Sequence, residues 1–145
     1  MGLDMYLNAK RFLWHSENEL ADTVSNAFPE LGKARVKEVT AELMYWRKAN
    51  AIHKWFVDNV QDGVDECQES WVDREKLEQL LAVIEEVLAD KEKAGELLPP
   101  SAGFFFGSTD VDDWYWEDLE RTRDGLRDLL ARNLKGWDIY YRASW

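Results

Sequence analysis

The chain opens on a strict alternation. In "GLDMYLN" Leu3, Met5 and Leu7 point one way and Asp4, Tyr6 and Asn8 the other, the pattern of a strand with one buried face. Ser16 with Glu19 three residues on has the form of a capping box, so a short helix is expected to about Phe28, ended by Pro29. A second alternating run, "RVKEVTAELMYW", sets Glu38, Thr40 and Glu42 against Val39, Ala41 and Leu43. Its β-branched residues predict a strand to about Tyr45. There the period lengthens. Tyr45, Ala49, Ile52, Phe56 and Val60 recur at helical steps and form one apolar stripe, with Arg47, Lys54 and Asp58 toward water, so a helix is expected to about Val60 and a turn at Gly63.

"CQESWV" reads as a weak strand, and Asp73 then caps the clearest helix of the chain. Its stripe is Leu77, Leu80, Leu81, Ile84, Val87 and Leu88, with Glu78, Gln79, Glu85 and Glu86 outside. "DKEKAGELLPP" adds a short helical turn before the proline pair, and "GFFFG" reads as a short buried strand. Thr109, Asp110 or Asp112 caps a last helix that runs to about Asn133 on Tyr115, Leu119, Thr122, Leu126 and Leu129. "WDIYYRASW" alternates again as a C-terminal strand. Strands and helices mix without a strict βαβ repeat. The expected class is therefore α+β: a small, mainly antiparallel sheet with helices packed on one face, in a single domain spanning 1–145.

Composition narrows what such a domain can do. Hydrophobic residues make up 46% and aromatic residues 13%, with eight tryptophans, which argues for a packed core and for indole edges left over at the surface. The formal net charge of −11 disfavours direct nucleic-acid binding and docking on an anionic membrane. One cysteine, Cys67, precludes an internal disulfide framework and fits a reducing cytoplasm; "MGLDMYLNAK" lacks the character of a signal peptide. The charge is uneven. Residues 61–120 hold 18 acids and 4 bases, or −14, which points to an acidic face.

Two constellations carry candidate chemistry. In "TDVDDWYWEDL", Asp110, Asp112, Asp113, Glu117 and Asp118 surround a helix start and alternate with Trp114, Tyr115 and Trp116. Capping and compensation of the helix dipole explain the carboxylates alone. With Trp114 and Trp116 they also make a candidate partner surface of charges and anchors. The spacing fits no EF-hand loop, and "GST" without a following lysine is no phosphate loop, so neither a metal nor a cofactor is expected here.

The second constellation is "YWRKANAIHKWF". Trp46, Asn50 and His53 line up beside the helical stripe, with Arg47 and Lys48 near the helix start, a candidate grip for an anionic ligand. His53 and Asn50 are the candidate catalytic pair, joined by Asp4 and Tyr6 if the first and last strands pair to build a polar floor, with Tyr140 and Arg142, beneath His53. The alternative is a boundary histidine bonded within the fold. His15 has no metal-ligand partner one turn away, and two histidines with one cysteine disfavour zinc.

Three blocks, "MGLDMYL", "YWRKANAIHKWFVDNVQDG" and "GFFFGSTDVDDWYWEDL" with the terminal "YYRASW", together resemble a family of small, mostly uncharacterised proteins of phages and prophages. The resemblance implies a phage context and no particular catalytic residue. Three readings follow. One is an acidic interaction protein, a host-defence antagonist of the anti-CRISPR kind, that mimics nucleic acid to bind a host protein in the cytoplasm. Another is a small enzyme, or a binder of a nucleotide or anionic metabolite, with its pocket around His53. The last is an accessory homodimer joined through exposed tryptophans.

Overall fold

The computed structural model describes residues 2–103 and 106–145. Nine principal elements follow one another: β1 (Asp4–Phe12), α1 (Asn18–Asn26), β2 (Glu38–Arg47), α2 (Asn50–Val60), β3 (Ser70–Val72), α3 (Arg74–Ala89), α4 (Ala94–Leu97), α5 (Asp113–Leu130) and β4 (Asp138–Ser144). The four strands form one antiparallel sheet in the order β2-β1-β4-β3. Pairing the two ends of the chain at the centre of the sheet gives an α+β fold.

The inner face of β1 is the alternation read in the sequence: Met5, Leu7 and Ala9 are buried, as is Leu3 just before the strand. Ile139, Tyr141 and Ala143 continue that face on β4. Helices α2, α3 and α5 close the core over it. On α5 the five buried positions are Tyr115, Leu119, Thr122, Leu126 and Leu129, the stripe expected from the sequence. On α3, Leu77, Leu80, Ile84 and Val87 are buried and Leu81 and Leu88 half-buried. Asp73 caps α3 by accepting from the Lys76 N–H, and Asp112 caps α5 from the Tyr115 N–H.

Several expectations need correction. The second strand does not stop at Tyr45; it runs to Arg47, and α2 begins at Asn50. The reason is a bulge. Leu7 faces Met44 while Asn8 faces Glu42, so Leu43 is an extra residue in β2. Before it Glu38, Thr40 and Glu42 share the outer face; after it Tyr45 and Arg47 do, and Met44 and Trp46 turn inward. Tyr45 is therefore 40% exposed on a strand and is no part of a helical stripe, whereas Ala49, Ile52 and Phe56 are buried and Val60 half-buried as expected.

At the start of α1 the box is built one turn early. Glu17, not Glu19, reaches back to the Trp14 N–H at 3.0 Å, and a 3-10 turn over His15–Glu17 precedes the helix. α5 ends at Leu130, short of Asn133, where Arg74 from α3 donates to the Leu130 carbonyl. Of the expected "GFFFG" strand, residues 104 and 105 lie outside the described residues. Phe106 sits in a bend and belongs to no strand, although it is buried.

The first and last strands do pair, but their polar residues face away from α2. Tyr6 lies opposite Arg142, Asn8 opposite Tyr140 and Asp4 opposite Ser144, all on the outer face of the sheet. No polar floor of Asp4 and Tyr6 lies beneath His53. Among the described residues no helix is long and apolar enough to cross a membrane.

Candidate functional site

His53 illustrates how burial decides a role. Its ring, in the first turn of α2, is 1% exposed. Nδ1 lies 2.6 Å from the Tyr141 hydroxyl and Nε2 lies 2.9 Å from an Asp65 carboxylate oxygen. A neutral ring protonated at Nε2 satisfies both contacts: Tyr141 donates to Nδ1, and Nε2–H donates to Asp65. The other oxygen of Asp65 accepts from the Trp145 indole at 3.0 Å. Tyr141 is stacked on Phe56, 4.0 Å between centroids, and burial followed by the Asp65 charge pushes its phenol well above its ordinary value. Phe106 meets the His53 ring edge-on at 5.1 Å. The histidine has no free nitrogen, and it joins α2 to β4 and to the turn carrying Asp65. The expected catalytic set of His53, Asn50, Asp4 and Tyr6 is not brought together.

Asn50 is likewise occupied. Its amide donates to the carbonyls of Phe106 and Ser108 at 3.0 and 2.8 Å, and its oxygen accepts from the Ser101 N–H at 2.9 Å. Three bonds from one buried side chain clamp Ser101, Phe106 and Ser108 onto the start of α2. Trp46 is fully buried, with its indole N–H donating 2.7 Å to Thr122 on α5, and Thr122 in turn donates to the Asp118 carbonyl. It packs β2 to α5 and cannot touch a ligand.

The rest of the two constellations converge. A cleft of about 700 Å³ lies between the β2–α2 junction and the first turns of α5, with Gly107 and Ser108 also in its lining. One wall presents Arg47, Lys48 and Tyr45; the other presents Asp110, Asp112, Glu117, Asp118 and Trp114. Neither Arg47 nor Lys48 has a carboxylate partner among the described residues. Lys48 has the left-handed φ of 58°, held by its N–H to the Leu3 carbonyl at 2.8 Å. Gly107, at φ 88°, packs against it: a Cβ there would lie 3.2 Å from that of Lys48.

On the acidic wall, burial raises the Asp118 carboxyl above its ordinary value against the pull of Arg121, which is 3.0 Å away. Asp112 caps the helix, while Asp110, Asp113 and Glu117 are exposed without a cationic partner among the described residues. Tyr115 turns inward, donating to the Leu98 carbonyl, and burial pushes its phenol up to about 12. Trp116 is half-buried beside Tyr115 and under the Lys91 ammonium, so the exposed indole of this wall is Trp114, at 75%.

The chemistry of this cleft is that of mixed recognition. Two free cations can meet an anion, an open indole and a phenol can meet a flat ring, and carboxylates can accept from hydroxyl or amino groups. Sequence reasoning found both walls but treated them as separate, and it missed Tyr45 as a lining residue because the bulge that turns it outward leaves no mark in the alternation.

The wider acidic block is partly consumed inside the fold. Glu69, Glu78, Glu85, Glu86 and Asp118 pair with lysines or arginines, Asp65 with His53, and Asp73, Asp90 and Asp112 cap helices. Among the described residues no group of three or more His, Cys, Asp or Glu side chains is placed to hold a metal ion. No protein-family model matches this chain, and neither does any curated protein or solved structure.

Proposed function

We propose that the protein is a ligand-binding module whose cleft takes a small molecule joining an anionic group to a flat ring, of the nucleotide class. The supporting observation is the convergence of unpaired Arg47 and Lys48 with Tyr45 and Trp114 around one cavity of about 700 Å³, the size of a small-molecule site. The cations receive the phosphate, Trp114 stacks on the base, and Asp110 and Glu117 accept from the sugar or from an exocyclic amine. The assay is thermal denaturation and calorimetry across a panel of nucleoside mono-, di- and triphosphates. Some member of the panel raises the melting temperature, and Lys48→Ala weakens that ligand by about tenfold, as expected for loss of one charged contact. A panel in which nothing binds the wild-type chain refutes the reading.

A second reading rests on the 75% exposure of Trp114 among unpaired carboxylates. In it the acidic wall is a surface for a basic host protein, in the manner of a cytoplasmic phage antagonist that occupies a nucleic-acid groove. Binding to such a partner would weaken with salt and with Trp114→Ala. Binding that ignores both counts against it.

A further inference from the structure

At the far end of α5 the surface has the opposite character. A groove of about 600 Å³ runs between the start of α3 and the α5–β4 connection, with Trp71, Leu134 and Trp137 in its walls and Arg74, Arg132 and Lys135 over it. Trp71 is exposed and Trp137 half-buried, so indole surface is open there. Three cations border the groove against two carboxylates, Asp73 and Asp138, in a molecule whose net charge is −11. Asp73 is already committed to capping α3, and Arg74 to Glu78 and the Leu130 carbonyl, which leaves Arg132 and Lys135 as the cations open to a partner. Lys135 has no carboxylate partner among the described residues, and the Arg132–Asp128 pair is exposed on both sides. An exposed pair of that kind is worth little and re-pairs readily.

The N-terminal end of the same helix carries the complement. Trp114 is the most exposed large hydrophobic among the described residues, and Asp110, Asp113 and Glu117 ring it without cationic partners. The two ends lie about 27 Å apart along an eighteen-residue helix, so one molecule cannot close the contact on itself. We propose that Trp114 of one copy docks in the Trp71–Trp137 groove of a second copy, its carboxylate collar against Arg132 and Lys135, so that molecules associate head to tail. Such a contact uses different surfaces on the two partners and does not end at a dimer unless a ring closes. The mutual repulsion of −11 on every copy keeps it weak and the chains short. It is independent of the ligand reading, although a molecule seated in the cleft would compete for Trp114.

Sedimentation from about 10 μM to about 1 mM protein, without ligand, tests the proposal. The wild-type chain gains mass continuously with concentration. A tip variant, Asp113→Lys with Trp114→Ser, and a groove variant, Arg132→Glu with Lys135→Glu, are each monomeric throughout. All four positions are exposed, and thermal melts verify that both variants fold. Mixed one to one, they form a dimer and nothing larger, because each supplies the surface the other lacks. A wild-type chain that stays monomeric overturns the proposal. So does association that either variant leaves intact, or a mixture that fails to dimerise, which would signal a symmetric interface elsewhere.

Discussion

Two polar regions sit within about two helical turns of one another around the start of α2 and behave oppositely. Around His53 every polar atom has a partner: Tyr141, His53, Asp65 and Trp145 form a continuous chain of hydrogen bonds. In the cleft, Arg47 and Lys48 face carboxylates they do not bond, across a cavity. Residue type does not separate the two, since a histidine beside an asparagine and a pair of basic residues are equally suggestive on paper. Satisfaction does. A buried group with all its bonds made holds the fold, and a group left open at a cleft is available to something else.

The comparison breaks most visibly at His53. His53→Ala leaves the Tyr141 hydroxyl and an Asp65 oxygen unpaired around a new cavity, so stability in urea falls by about 4 kcal/mol. If denaturation shows a loss below about 1 kcal/mol, the network is not structural. Asn50→Ala comes next. It frees the Ser101 N–H and the carbonyls of Phe106 and Ser108, costing about 2 kcal/mol and speeding proteolytic cleavage beside Ser101 and Ser108.

Lys48→Gly moves the other way. Glycine relieves the left-handed backbone at that position and raises stability by about 0.5 kcal/mol, while removing the ammonium weakens the cleft's ligand. The smallest effect is on pH dependence. Burial penalises the charged Asp118, so its carboxyl holds its proton to a higher pH folded than unfolded. Folded chains bind more protons in that interval, and stability falls as pH rises from the ordinary carboxylate value through the raised one. Asp118→Asn flattens that segment of a stability–pH profile; an unchanged slope would mean that Asp118 is solvated.

Local pattern carried much of the fold. The alternation of Leu3, Met5 and Leu7, the stripe of α5, and the caps Asp73 and Asp112 are all set by neighbours a few residues away, where period and side-chain reach operate. What escaped was long-range. Tyr141 lies 88 residues from His53, and no spacing rule links them. Tyr45 and Trp46 were misassigned because a single inserted residue reverses inside and outside without changing composition. Half of the site was legible as two separate clusters; their meeting across the cleft depends on how α5 lies against β2, which the buried Trp46–Thr122 bond fixes.

The extra residue in β2 has a consequence for how this chain can vary. Deleting Leu43 would remove the bulge and leave an unbroken ladder in which Glu42, Tyr45 and Arg47 still face out and Met44 and Trp46 still face the core. A one-residue shortening there thus conserves sidedness, and a chain of this architecture can lose the insertion without rewriting the positions between it and α2, giving up only the added local twist.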